Sequence, residues 1–283
     1  MAETDQLEKE GAQKLSTHFS LETQKLCSEV ISLDLCIENQ LNTDASLLSV
    51  NECEPTEKAS QHNAANGNDD LFKEIKDIRH KFSKHLIVSH LNINSLRSKV
   101  AEIKELQREC QFDVLVLSET KLDESIKQEI LDIEGYSCVR QDKRSNSGGL
   151  LTYISNDIPF SVGSMNLCSD EIECLPIELN VAGEKIMLLG MYKNPKTDAV
   201  RFKKYFEETC ESVCDSFENI IVIGDLNFNM FHDNVLSTIT PPFNLTNVIN
   251  VATCYKSATP TLIDVMLVTK RRKILRSFSK NRD

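Results

Sequence analysis

A chain of 283 residues admits one large α/β domain or two ordinary ones, and with 40% hydrophobic and 27% charged residues it has enough apolar material for a core. No run of about 18 apolar residues occurs, and the opening MAETDQLEKE is acidic and lacks an apolar h-region. A membrane span and a secretory signal are therefore excluded, and an intracellular protein is expected. The net charge of −11 is unevenly spread: residues 1–80 hold 7 of the 32 basic and 16 of the 43 acidic residues, which leaves 25 and 27 for residues 81–283. The later part of the chain is thus nearly balanced, and its charge does not exclude a DNA partner.

Residues 1–70 read as a mostly disordered acidic segment with one helix near 20–37, because NECEPTEKASQHNAANGNDD is polar, rich in turn-formers and too poor in apolar residues to offset the entropy of ordering. LFKEIKDIRHKF, residues 71–82, predicts a short amphipathic helix, which with its linker to residue 84 would dock onto the domain C-terminal to it. That main domain is expected over 85–275, and 276–283 form a basic C-terminal end. Within the domain HLIVSHLNI, DVLVLSE, GLLTYIS, CLPIELNV, KIMLLGMY, NIIVIGDLN and TLIDVMLV read as strands, several apolar on both faces. SLRSKVAEIKELQREC and AVRFKKYFEETCESVCDSF carry apolar residues at helical spacing. The excess of strands over helices favours two packed sheets with helices outside. Ten cysteines include no CxxC pair and do not group with the six histidines, so reduced thiols are expected rather than a zinc or disulfide framework.

The ends of the strands carry the chemistry. Asn92 in HLNINSL, Glu119 in VLSETKLD, Tyr192 in LLGMYKNP, and Asp225 with Asn227 in VIGDLNFN are polar residues finishing apolar runs, and Asp264 lies inside TLIDVMLV. Rigid strand ends are where active sites gather, and an acid inside an apolar strand is costly unless paired or ligating. Singly each has an ordinary explanation: a capping or turn residue, a core ring, a hydrogen-bonded structural acid. Together, oxygen donors without thiolate or imidazole select a hard cation, Mg²⁺ or Mn²⁺, and point to phosphoester hydrolysis. In Gly-Asp-Leu-Asn the glycine permits close backbone approach, while Asp225 and Asn227, two apart, face one cleft.

LNINSLRSKVAEIKEL, DVLVLSETKLD, EGYSCVRQDKRSNSGGLLTYI, MYKNP, ENIIVIGDLNFN and ATCYKS followed by TLIDVML resemble, in order and spacing, the endonuclease domain of non-LTR retrotransposons, within the endonuclease/exonuclease/phosphatase superfamily. The resemblance implies a four-layer α/β sandwich. It implies Glu119 as the principal metal-ligating carboxylate, Asn92 beside it, Asp225 aligning or deprotonating the attacking water, and Asn227 donating to phosphate oxygens. Tyr192 would contact the scissile phosphate, and Asp264 would position a catalytic histidine. Arg140, Lys143 and Arg144, before Gly148 and Gly149, stand where the family has an arginine-rich DNA-contacting loop, and the basic run at 270–280 reads either as a solvated run after a strand or as a phosphate-contacting or nuclear-address segment. DNA is the implied partner, with a reverse transcriptase domain in a longer parent protein.

The family pattern continues to a Ser-Asp-His segment. Here the chain instead continues as KRRKILRSFSKNRD, and none of His18, His62, His80, His85, His90 and His232 stands in that context. Asp264 is thus expected to lack its imidazole, the sheet to lack its last strand and leave an unpaired edge, and the rate to fall by about 10² to 10⁴. Three functions stay open: an impaired Mg²⁺-dependent endonuclease, a non-catalytic remnant or domesticated DNA-binding module, and a phosphatase of small phosphoesters on the same fold.

Overall fold

The computed structural model describes residues 79, 80, 83, 85–143, 147–163, 171–256 and 258–269, together with the backbone of two strands, Ile31–Leu35 and Ile274–Phe278. In chain order the elements are β1 (Ile31–Leu35), β2 (Leu86–Asn92), α1 (Val100–Cys110), β3 (Val114–Ser118), α2 (Gln128–Leu131), β4 (Tyr136–Gln141), β5 (Leu150–Ser155), β6 (Phe160–Val162), β7 (Ile172–Val181), β8 (Glu184–Lys193), α3 (Ala199–Cys214), β9 (Asn219–Asp225), α4 (Val235–Ile239), β10 (Leu245–Asn247), β11 (Asp264–Thr269) and β12 (Ile274–Phe278).

Because strand side chains alternate faces, a run such as LIVSHLN that is buried at nearly every position must be covered on both sides. On one side Val88, Val116 and Ile154 meet Ile177, Leu188, Ile223 and Met266 in a core between two sheets. On the other, Ile87, Leu91, Leu115 and Leu117 pack under Ile103 and Leu106 of α1. The second sheet does the same with Met187, Leu189 and Val222 under Phe202 and Phe206 of α3. Helix, sheet, sheet and helix make four layers, the expected sandwich.

The sheets run β12-β1-β2-β3-β5-β4 and β10-β11-β9-β8-β7-β6. The parallel pairs β2/β3 and β8/β9 are joined by α1 and α3. Asp198 caps α3 by accepting from Arg201 N at 2.9 Å, and Phe202, Tyr205, Phe206, Thr209, Cys210 and Val213 form its buried stripe. β7 and β8 form a hairpin whose two turn residues, Ala182 and Gly183, both have positive φ (53° and 83°), the handedness that matches strand twist.

All seven strands and both long helices expected in the main domain are present. The N-terminal expectation is corrected in one place. Residues 31–35 form a strand rather than part of a helix, and that strand pairs antiparallel with β2 and with β12. The edge expected to be open is therefore occupied. The rest of the expected helix near 20–37, most of the helix at 71–82, and the basic residues around β12 lie outside the described residues. The described cysteines, Cys110, Cys138, Cys174, Cys210, Cys214 and Cys254, are free thiols. Among the described residues no helix is long and apolar enough to cross a membrane.

Candidate active site

Parallel pairing puts the ends of β2 and β3 side by side, Asn92 in register with Ser118, so Glu119 emerges next to Asn92. In the second sheet Tyr192 is in register with Asp225 across β8 and β9, and Asp264 stands opposite Asp225 on β11. The sheets bring these two groups into contact. The Asn92 carboxamide donates to Glu119 Oε1 and to Asp225 Oδ2, each at 2.8 Å, one bond within its own sheet and one across the sandwich. Its oxygen accepts from Asn94 N at 3.1 Å, which fixes which end of the amide faces the acids.

The backbone around each acid is special. Glu119 has φ 52° and Asn227 φ 54°, the left-handed region that non-glycine residues rarely adopt and that rigid surroundings must enforce. Around Glu119 the enforcement is visible. Ser95 N donates to Glu119 O at 2.8 Å, while Thr120 N and Lys121 N donate to Gly149 O and Gly148 O at 3.1 and 2.9 Å. A Cβ on Gly148 would meet Glu173 Oε1 at 1.9 Å, and one on Gly149 would meet Thr120 Oγ1 at 2.5 Å, so this Gly-Gly turn has no room for side chains. Before Asp225, Gly224 (φ 152°) places its backbone where a Cβ would lie 1.8 Å from Met191 O, the close approach expected from Gly-Asp-Leu-Asn.

Burial dominates the electrostatics. Asp225 is 3% exposed, and loss of hydration pushes its pKa up to about 6 against the hydrogen bonds from Asn92 and Asn227 N, with the Glu119 charge adding to the rise. Tyr192 is held far above its usual range by burial and by the neighbouring acids Glu119, Asp225 and Glu173, so its hydroxyl remains a donor, with Glu119 as partner. Lys193 is buried; desolvation lowers its pKa, and its ammonium lies 4.7 Å from the centre of the Phe228 ring. Lys121 Nζ is 3.6 Å from Glu119 Oε2, an ion pair at the mouth of the site.

Asn227 reaches back. Its backbone N–H donates to Asp225 Oδ1 at 3.0 Å and one side-chain N–H to Lys193 O at 2.8 Å, so part of the carboxamide expected to face a phosphate braces the loop instead. The expected DNA-contacting residues are also engaged. Arg140 ion-pairs with Asp142 and donates to the carbonyls of Ile126 and Asp123, each at 2.9 Å, and Lys143 pairs with Glu173 at 3.0 Å. Their burial, 16% side-chain exposure each, makes them latches of the loops rather than a free basic surface. Arg144 lies outside the described residues. His232 is exposed.

Asp264 has a neighbour outside the Ser-Asp-His pattern. A histidine does stand beside it: His90, on β2, faces Asp264 Oδ1 with Nδ1 at 3.6 Å. Sequence reasoning also missed Glu173, a buried acid whose Oε2 accepts from Gly149 N at 2.6 Å. The rule that flagged Asp264, an acid within an apolar strand, applies equally to Glu173 in IECLPIEL.

No group of three or more His, Cys, Asp or Glu suited to a metal occurs among the described residues. The donor set nevertheless fits a hard cation. Two carboxylates converge on one carboxamide, their mutual repulsion helps raise the pKa of Asp225, and Mg²⁺ needs only one or two carboxylates.

Two stacked sheets clad in helices, with oxygen donors gathered where their strand ends meet, make a four-layer α/β sandwich with a polar site at one end. The sequence matches the Endonuclease/Exonuclease/phosphatase family over residues 90–282, and the chain belongs to that family, whose enzymes are hydrolytic nucleases and phosphatases that generally use divalent metals. No curated protein matches it. Among solved structures, the AP endonuclease LMAP from Leishmania major superposes with a TM-score of 0.54 at 15% identity, over 64% of this chain and 78% of that one. The endonuclease domain of TRAS1, a telomere-specific non-LTR retrotransposon, gives 0.52 at 12%, over 65% and 85%. A 3′ phosphatase from Neisseria bound to a product DNA hairpin gives 0.50 at 17%, over 65% and 86%. At these identities the likeness is one of fold.

Proposed function

We propose that the domain is a divalent-metal-dependent phosphodiesterase that nicks DNA strands in the nucleus, as the endonuclease of a retroelement whose reverse transcription is primed at the nick. The observation that carries this reading is the Asn92 carboxamide joining Glu119 and Asp225 across the two sheets. Solved structures of the same fold include the TRAS1 endonuclease domain and a DNA-bound phosphatase, which supports DNA as the substrate.

Glu119 and Asp225, whose carboxylates converge on one point, would hold Mg²⁺ or Mn²⁺; the Asn92 amide, its N–H₂ turned to both acids and its oxygen to Asn94 N, orients them rather than ligating. The ion when bound supplies positive charge against the phosphate oxygens. The remaining work falls to the side chains. Asp225, with a pKa near 6, is largely ionised at neutral pH yet basic enough to accept a proton from an attacking water, and its hydrogen bonds to Asn92 and Asn227 aim the carboxylate. The second N–H of Asn227 is a donor suited to a phosphate oxygen as charge builds in the transition state, and the Tyr192 hydroxyl, which here donates to Glu119, becomes another on turning from it.

The test is relaxation of supercoiled plasmid with Mg²⁺ and with EDTA. Nicking should require the metal and fall at least about 10²-fold in Glu119→Gln and Asp225→Asn. A folded wild-type protein that binds DNA and never nicks it, with either Mg²⁺ or Mn²⁺, would refute the enzyme and leave a DNA-binding module. Hydrolysis of small phosphoesters with plasmid untouched would move the substrate instead.

A further inference from the structure

Three strands of the site meet on one buried imidazole that the proposed chemistry leaves unused. His90 lies two residues before Asn92 on β2 and is closed off from solvent. Its Nε2 is 3.0 Å from Ser118 Oγ, and Ser118 immediately precedes Glu119. Its Nδ1 makes no hydrogen bond within the described residues and faces Asp264 Oδ1 at 3.6 Å. Asp264 in turn stands directly opposite Asp225.

The arrangement selects a tautomer. A serine hydroxyl can donate to Nε2, which leaves the proton of a neutral ring on Nδ1, pointing at the Asp264 carboxylate. The opposite tautomer would set a nitrogen lone pair of the enclosed ring against that carboxylate. Ser118, itself fully buried, cannot be reached by a substrate, so this Ser-His-Asp row is not a nucleophilic triad. It runs beneath the site floor. Residues directly opposed on antiparallel strands have Cβ atoms about 4.5 to 5.5 Å apart, so Asp225 and Asp264 are neighbouring acids, and an N–H offered to Asp264 gives its carboxylate a direction away from Asp225.

We propose that His90 is a positioning residue of the active site: an imidazole supplied from β2 that turns the Asp264 carboxylate away from Asp225 and ties β2, β3 and β11 in the offset that brings Asn92, Glu119 and Asp225 together. Its effect on rate rests on the phosphodiesterase reading; its geometry does not.

Two measurements on the full chain test it. In ¹⁵N-histidine-labelled protein, long-range ¹H–¹⁵N spectra should show His90, assigned by the signal lost in His90→Asn, protonated at Nδ1 and bare at Nε2, and Asp264→Asn should shift the Nδ1 resonance. An Nε2-protonated ring, or no response to Asp264→Asn, overturns the proposal whether or not the protein cleaves DNA. In plasmid nicking, Asn, whose amide nitrogen falls near the place of Nδ1, should keep kcat within about threefold. His90→Gln and His90→Leu should lose about 10- to 100-fold in kcat with KM and Tm unchanged. Equal kcat in all three variants, or losses that only track Tm, would overturn it. A wild-type protein that shows the expected tautomer and does not nick DNA sinks the enzyme reading alone.

Discussion

Burial of Asp225 is the feature with the most direct thermodynamic consequence. In the unfolded chain the carboxyl titrates near 3.8; in the folded, metal-free protein it titrates near 6. A raised acid pKa means the folded state holds its proton more tightly, so stability is lost as pH rises from the unfolded to the folded value, and the full penalty is present above about pH 6. Two pKa units at 1.36 kcal/mol each amount to about 3 kcal/mol, of which about 2 kcal/mol is developed between pH 4 and pH 8. Asp225→Asn removes the titration. It also alters the hydrogen bonds from Asn92 and Asn227, but that change is the same at every pH and cancels when two pH values are compared. Urea unfolding of both proteins without divalent metal should therefore show the variant gaining about 2 kcal/mol on the wild type from pH 4 to pH 8. A constant difference across that range would refute the desolvation argument, and a gain of opposite sign would mean that the hydrogen bonds outweigh burial.

Three further outcomes are expected from packing. Gly224→Ala forces a Cβ to within 1.8 Å of Met191 O and should cost more than about 3 kcal/mol, seen as a large fall in Tm. Glu173→Ala strips the partner from Lys143 and from Gly149 N; with Lys143 partly solvated, about 2 kcal/mol is expected by chemical denaturation, and more than for Lys143→Ala. Leu106→Ala opens a cavity under α1 and should lose about 2 to 5 kcal/mol with nicking by the remaining folded protein unchanged.

The sandwich was legible because its central strands are buried on both faces, which leaves unbroken apolar runs such as VLVLS and IIVIG. Elements that escaped lack that signature. β4 is half-buried along its whole length, and β6 and β10 have three residues each, too few for any period to show. β1 is a strand only because β2 and β12 flank it, and that context lies far along the chain. Within the site, Asn92, Glu119, Tyr192, Asp225 and Asp264 stood out as polar residues in apolar company, and the structure gathers them. His90 has the same local pattern. Its meaning depends on Ser118 and on a strand in the opposite sheet, and no spacing along the chain announces either. Arg140 and Lys143 show the reverse: a basic loop in sequence becomes a set of internal ion pairs once Asp142 and Glu173 are placed beside it.

The flank of β2 is assembled from opposite regions of the chain, with Ile31–Leu35 inserted between β2 and Ile274–Phe278. Such a contact is slow to form, because a long loop must close before the pairing rewards it. During synthesis the strand that bears His90 and Asn92 can take up β1 early, but β1 keeps its own outer edge bare until the ribosome has delivered Ile274–Phe278. Expression yield should then depend on β12. Removing 274–278 is expected to favour edge-to-edge aggregation of nascent protein while leaving every residue of the candidate site in place.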